Sequence, residues 1–443
     1  MTENRRGAAP LLLACSIGQV IEWYDFFIYG TASALVFGRV FFPSTAPLAG
    51  TLLSYATFGV AFLARPLGGI LFGHFGDRFG RKPTLVVTFL IMGTATGAVG
   101  LLPSYHAIGV WAPLILVGLR VLQGLSLGGE YAGAVLMSVE HAPPGRRSYF
   151  GSWVQAGSPA GVVLSNSVFL LTSTYFPDAL ANWGWRVPFL ASFALVIVGI
   201  IMRVRVQESP AFQAVAAARS ERSPILTVLR NHKRAVLLTA GSYLSIGAVT
   251  YTSTVFGISW GKGTLGYSYA DVLGIIIVGQ VVCFAVMPIF GVLGDRVGTA
   301  KVCMVGIVGC AVVVFPWLAL VGTGDPWLAV IGYTLLAFPY AANYSVMAAF
   351  FAAAYETRVG YTGFSLGYQL GTVVGSGLAP TIATALLAAT GTVDSVGWYI
   401  VAFCAVSLVS TALLARSRPV STLTSTRPAR VDVASPLQER SRS

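Results

Sequence analysis

Two loops half a chain apart share one pattern, Gly-x-x-Gly-Asp-Arg-x-Gly. They are Gly73-His74-Phe75-Gly76-Asp77-Arg78-Phe79-Gly80-Arg81-Lys82 and Gly291-Val292-Leu293-Gly294-Asp295-Arg296-Val297-Gly298, offset by 218 residues. Each joins two long apolar stretches, so the chain reads as a duplicated helical unit embedded in lipid. Composition agrees. The chain is 55% hydrophobic and only 10% charged, with mean hydropathy +0.75, whereas an average soluble chain is about 25% charged. Spans of roughly 20 apolar residues fit the hydrocarbon thickness. Twelve are legible, at 12–38, 50–73, 84–102, 110–140, 149–173, 186–204, 234–258, 270–293, 301–322, 327–352, 361–388 and 395–415. Lipid offers the backbone no hydrogen-bond partner, so these spans should be helices. Barrel strands would be about half as long and would alternate in polarity. The expected fold is an all-α membrane protein of twelve transmembrane helices.

The net charge of +12 is a topology signal and does not point to nucleic acid. With the N-terminus inside, the cytoplasmic segments gather Arg5, Arg6, Arg78, Arg81, Lys82, Arg146, Arg147, Arg203, Arg205, Arg219, Arg222, Arg230, Lys233, Arg234, Arg296, Lys301, Arg358 and six tail arginines. Arg39, Arg65, Arg120, Arg186 and Lys262 remain for the membrane and the outside. That bias places both termini in the cytoplasm. The first span follows Arg5-Arg6 but is too long for a cleaved signal and carries Glu22 and Asp25, so it is expected to be retained. All five cysteines fall inside spans, as free thiols. The four histidines have no metal-ligand spacing, and neither metal nor cofactor is expected.

A polar segment at 205–233 divides the spans six and six. The expected organisation is a cytoplasmic N-terminus (1–11), a six-helix bundle (12–204), a cytoplasmic linker (205–233), a second six-helix bundle (234–415) and a disordered tail (416–443). Glycines crowd the spans, as at Gly124, Gly128, Gly129 and Gly133, where small residues let membrane helices approach closely.

Several motifs carry a resemblance. Glu22-Trp23-Tyr24-Asp25-Phe26 with Tyr29-Gly30, Phe62-Leu63-Ala64-Arg65-Pro66-Leu67-Gly68-Gly69, the Asp77 loop and Trp111-Ala112-Pro113 are among them. So are Arg120-x-x-Gln123-Gly124-x-x-x-Gly128-Gly129-Glu130-Tyr131, Trp183-Gly184-Trp185-Arg186-Val187-Pro188-Phe189 and Glu208-Ser209-Pro210-Ala211-Phe212. Together they resemble the metabolite:H+ symporters of the major facilitator superfamily, densely in the first half and more thinly in the second. That family includes permeases for 2-oxoglutarate, citrate, shikimate and proline or betaine. The resemblance implies two pseudo-symmetric six-helix halves that rock about a central site. The chain departs from the family at Gly298-Thr299-Ala300-Lys301, where paired basic residues are usual, and at Ala354-Tyr355-Glu356-Thr357-Arg358, where a Phe-Pro pair is usual.

A charge at bilayer depth is costly and needs a partner or a task. Glu22 and Asp25 share a helix face, with Tyr29 one turn on, about 15 Å into the first span and so near the midplane. Two carboxylates on one face of a low-dielectric site cannot both stay ionised cheaply. They are therefore the expected proton-coupling pair, with Glu130 as a third candidate. The alternative is that Glu22 or Asp25 permanently neutralises Arg120, and that Glu130 pairs with Arg65. Arg120 and Gln123, one turn apart at the same depth, are expected substrate contacts, because a planar guanidinium grips a carboxylate through two bonds. Tyr29, Tyr251, Asn343 and Tyr368 join them as candidates. Gln280, Tyr344 and Gln369 lie at similar depth, and helix packing is the competing role for each. Arg65, Asp77, Arg78, Arg81, Asp295 and Arg296 are expected at the gate between halves. There an acid can receive the positive N-terminal end of a helix from the opposite half.

These features describe a transporter rather than an enzyme: a monomeric plasma-membrane symporter importing a small organic acid with protons by alternating access. A proline- or betaine-type osmolyte symporter is the alternative substrate reading. A drug efflux antiporter, suggested by Gly157-Ser158-Pro159-Ala160-Gly161, is a weaker one.

Overall fold

The computed structural model describes residues 3–79, 81–176, 180–205, 228, 230–355 and 360–417. Most of the linker, Arg358 and the tail beyond Ser417 lie outside the described residues, as do the side chains of Asp77, Arg78 and Arg81. Twelve helical passages are present among the described residues. They are α1 (3–41), α2 (Pro47–Phe79), α3 (Arg81–Leu101), α4 (Trp111–Glu140), α5 (Arg147–Tyr175), α6 (Arg186–Arg205), α7 (Lys233–Gly263), α8 (Tyr269–Val297), α9 (Thr299–Gly322), α10 (Pro326–Ala352), α11 (Gly360–Thr390) and α12 (Asp394–Arg416). Ten are long and apolar enough to cross a membrane, and α3 contributes a shorter apolar stretch, Val86–Leu101. The polar residues Gln19, Glu22 and Asp25 dilute the hydropathy of α1. It begins at Glu3, well before the span expected from residue 12.

The polarity is inside out. Val305, Val308 and Val312 line one exposed stripe of α9, and Leu63, Leu67 and Leu71 another on α2, while Glu22, Asp25, Arg65, Arg120 and Glu130 are buried. Only lipid accommodates such a surface. Exposed Trp111, Tyr175, Trp183, Trp327 and Trp398 cluster at the helix ends opposite the repeated loops, as an aromatic belt at a membrane interface does. We call that end the far face, and the end holding residues 73–82 and 291–298 the loop face.

Local sequence explains the helix ends. Asp325 caps α10, accepting from Trp327 and Leu328, with Pro326 at the first helical position. Ser268 and Asp271 form a reciprocal capping box on α8. Gly298 links α8 to α9 at φ 102°, a conformation that excludes most side chains, which explains the last glycine of the repeated motif.

Glycines also fix the rotation of α2 against α4. A Cβ at Gly68 would meet the Leu125 carbonyl, one at Gly124 the Ala61 carbonyl, and one at Gly128 the Arg65 carbonyl. Backbone cannot give way as a rotamer can. Gly128→Ala is therefore expected to destabilise the protein by about 1–3 kcal/mol, read as a lower unfolding temperature in detergent. Unchanged unfolding would mean that α2 and α4 are not packed this closely.

Four π-helical turns are present among the described residues: Ser33–Phe37 in α1, Thr252–Phe256 in α7, Val373–Gly377 in α11 and Leu180–Gly184 just before α6. The first two start 219 residues apart, and each closes on Val-Phe-Gly, at 36–38 and 255–257. This second echo of the duplication was not anticipated from the sequence. π turns leave carbonyls without helical partners and gather at functional positions. Here Tyr333 Oη donates to Ser253 O at 2.6 Å, and Tyr55 Oη, from the first half, donates to Val255 O at 3.2 Å.

Candidate functional site

The polar centre of the first half is built by α1, α3, α4 and α6. Arg120 is wholly buried. Its Nη1 donates to Gln123 Oε1 at 2.7 Å and its Nη2 to Phe58 O at 3.2 Å. Its Cζ lies 3.8 Å from the centroid of the Tyr29 ring, 5.0 Å from Phe26 and 5.4 Å from Phe58. Gln123 Nε2 donates to Thr96 Oγ1 at 2.6 Å, and Thr96 donates to Met92 O at 2.8 Å. Asp25 is buried, and no hydrogen bond reaches either carboxylate oxygen, though the hydroxyls of Thr96 and Ser192 face it. Ser192 Oγ is itself unpartnered. Asp25, Thr96, Gln123 and Arg120 thus form one polar file through the bundle. Glu22, also buried, accepts from Gln19 Nε2 at 2.6 Å. Tyr29 shares a 2.7 Å hydrogen bond with Thr57.

The residues expected from the second half fall into two groups. Asn343 is held within its own half, donating to Ser245 Oγ at 3.1 Å and accepting from Cys303 Sγ at 3.2 Å. Gln280 lines a small crevice with Thr250, Ser253, Cys283, Tyr333 and Tyr340. That crevice lies wholly in the second half, away from Arg120 and Asp25. Tyr251 and Tyr368 instead face the first half. The Tyr251 ring sits among Phe26, Phe27, Phe58 and Phe62, with centroids 5.4–6.1 Å away. Tyr368 stacks on Tyr131 at 4.1 Å. Both hydroxyls are buried without a hydrogen-bond partner.

The halves touch at both ends. On the far face, Tyr55 Oη reaches Ser259 Oγ at 2.8 Å as well as Val255 O, and Gly59 packs on the Gly377 carbonyl. On the loop face, Asp295 accepts from the backbone N–H of Ser148 at 2.8 Å and of Tyr149 at 3.0 Å. These are the first free donors of α5, and Arg146, its own N-cap residue, provides no side-chain cap. Tyr361 Oη also donates to Gly129 O at 2.8 Å. Arg296 is exposed. Arg65, expected at the gate, is instead buried at mid-helix, its Cζ 4.5 Å from the centroids of both Phe26 and Phe62. Glu130 is buried at the break between the two segments of α4. Sequence reasoning missed Thr96 and Ser192, because single hydroxyl residues in apolar spans carry no distinguishing pattern.

Residues 11–235 match the sugar (and other) transporter family. The inner membrane metabolite transport protein YhjE of Escherichia coli is 40% identical over 424 residues, 92% of this chain and 94% of that protein. The shikimate transporter of the same organism is 38% identical over 94% of this chain and 96% of its own. Its proline/betaine transporter is 32% identical over 90% and 82%, respectively. A partially occluded, inward-open structure of the E. coli xylose transporter XylE superposes with a TM-score of 0.71 at 17% identity, covering 93% of this chain and 98% of that one.

Proposed function

The chain belongs to the sugar (and other) transporter family of the major facilitator superfamily, in its metabolite:H+ symporter group, and from that premise we propose that it imports a small organic acid with protons across the inner membrane. It is a membrane transporter, not an enzyme. The observation that carries the proton-coupled reading is the Asp25 carboxylate, buried at the head of the file that ends on Arg120. An ionised Asp25 can accept from the free hydroxyl of Ser192. A protonated Asp25 can donate to Thr96 Oγ1, whose own proton is committed to Met92 O. Each protonation state therefore has its own hydrogen-bond arrangement, and the second bears on Gln123 and through it on Arg120. Glu22 and Glu130 are further acids through which protons pass. Arg120 and Gln123 link the proton site to the bound solute.

Alternating access then consists of parting the halves at one face while the other stays closed. The Asp295 carboxylate of α8, holding the start of α5, is the loop-face latch, with Asp77, Arg78 and Arg81 as its counterparts in the first loop. Tyr55 of α2, bonded to Val255 O and Ser259 Oγ of α7, is the far-face latch. Both termini lie in the cytoplasm in this reading, and the protein works as a monomer. Coupling suits an acid, because co-entering protons offset a negative charge that the membrane potential opposes at ~2.3 kcal/mol per 100 mV.

The test is the direction of transport in right-side-out and everted vesicles under an imposed proton gradient, with radiolabelled shikimate, 2-oxoglutarate, proline and betaine. Accumulation down the proton gradient is expected. Solute moving against the proton flow would identify an exchanger, and betaine or proline as the sole substrate would replace the organic acid with an osmolyte.

A further inference from the structure

Two guanidiniums lie within 5.0 Å of the Phe26 ring centroid, and their surroundings differ. The two terminal nitrogens of Arg120 are committed inside the first half, to Gln123 and the Phe58 carbonyl, and its guanidinium lies on the Tyr29 ring, although its Nε, like that of Arg65, has no hydrogen-bond partner. Arg65 lies against the Phe26 and Phe62 rings, its Nε has no hydrogen-bond partner, and the same two rings meet Tyr251 from the second half at 6.1 and 5.4 Å. The Arg65 carbonyl packs on Gly128, whose own carbonyl receives Gln369 Nε2 at 3.5 Å, so α11 and its Tyr368 pass alongside. Buried polar atoms nearly always find partners. Here a guanidinium nitrogen from one half and two phenolic oxygens from the other are unpaired around one seam.

We infer that Arg65, and not Arg120, holds the substrate's carboxylate, and that the Tyr251 and Tyr368 hydroxyls complete the site from the second half. The inference rests on the proposed transport of an organic acid and names the residues that recognise it. The lining also selects the solute's body. Aromatic faces attract cations, but Phe26 and Phe62 already hold Arg65, and Tyr29 holds Arg120. A quaternary ammonium would enter beside two fixed positive charges. A carboxylate on a compact, hydroxyl-bearing body matches the guanidinium, the two phenols and the stacked pair Tyr131–Tyr368.

The test uses the full-length protein in proteoliposomes, with shikimate and its uncharged methyl ester as probes. Arg65→Gln is expected to weaken shikimate binding about 10- to 100-fold, the loss of a charge-assisted hydrogen bond, and Tyr251→Phe or Tyr368→Phe about 3- to 10-fold. Arg65→Lys, which keeps the charge but not the fork, should recover part of the affinity. Arg120→Gln should lose proton-driven uptake, because its bonds run to Gln123 and the Phe58 carbonyl inside the first half, and any fall in shikimate binding should be smaller than that of Arg65→Gln. The methyl ester should not compete. Unfolding temperatures of all variants separate lost binding from lost folding. A folded Arg65→Gln that binds like wild type, an equally tight methyl ester, or loss of binding in Arg120→Gln alone overturns the assignment. Wild-type protein that neither binds nor moves shikimate, proline or betaine removes the transport reading itself, and this inference with it.

Discussion

Asp25→Asn is expected to abolish uptake driven by a pH gradient while leaving exchange of labelled for unlabelled solute intact. In a symporter the proton and the solute raise each other's affinity through a coupling free energy, commonly worth 5- to 150-fold. Asparagine occupies the same space between Thr96 and Ser192 but cannot change charge, so concentrative uptake should fall by about that factor. Exchange needs only that the loaded site cross, and should survive. Wild-type uptake should rise as the outer pH falls, and the variant's should be flat. Glu22→Gln and Glu130→Gln are the companion tests. If Asp25 served only to neutralise Arg120, the asparagine variant would leave a buried guanidinium uncompensated. Unfolding temperature and both transport modes would then fall together, and preserved pH-driven uptake would refute coupling at this position directly.

How much of this was legible in the sequence depends on which physical constraint fixed each feature. Helix positions were, because bilayer thickness fixes the length of an apolar run. The expected span 301–322 is Thr299–Gly322 in the structure, and 327–352 is Pro326–Ala352. The aspartate of the repeated loop was legible as a residue placed to receive a helix end, since its spacing recurs where two halves must meet. Rotation about the helix axis was not. The guanidiniums of Arg65 and Arg120 both reach the Phe26 ring, and nothing in their local sequence tells which one looks across the seam. That is settled by Gly68, Gly124 and Gly128, whose missing side chains let α2 and α4 touch backbone to backbone. The π turns were hidden for a similar reason. Ser33–Phe37 and Thr252–Phe256 have ordinary helix-compatible residues, and only the paired Val-Phe-Gly at one repeat offset marks them.

Asp295→Ala is expected to unlatch the loop face. The first turn of α5 has no side-chain cap of its own, and its Ser148 and Tyr149 N–H groups are satisfied across the interface by one carboxylate. A capping oxygen contributes about 1–2 kcal/mol, and a full negative charge at a helix N-terminus adds to it. That stabilisation exists only while α5 and α8 are together. Removing it should shift the closed-to-open ratio about 5- to 30-fold toward opening. Ser152, buried one turn further along α5 against Gly291, gives the readout. In a Ser152→Cys background, maleimide labelling from the loop face should accelerate by that factor on Asp295→Ala, and by less on Asp295→Asn, which keeps an acceptor oxygen but not the charge. Labelling of the five native cysteines, four of them buried, supplies the baseline. An unchanged rate at the introduced thiol would show that the carboxylate tidies a helix end without holding the halves, and the latch would have to be sought in the seam formed by Gly151, Gly291 and Gly294 with Ala348 and Ser148.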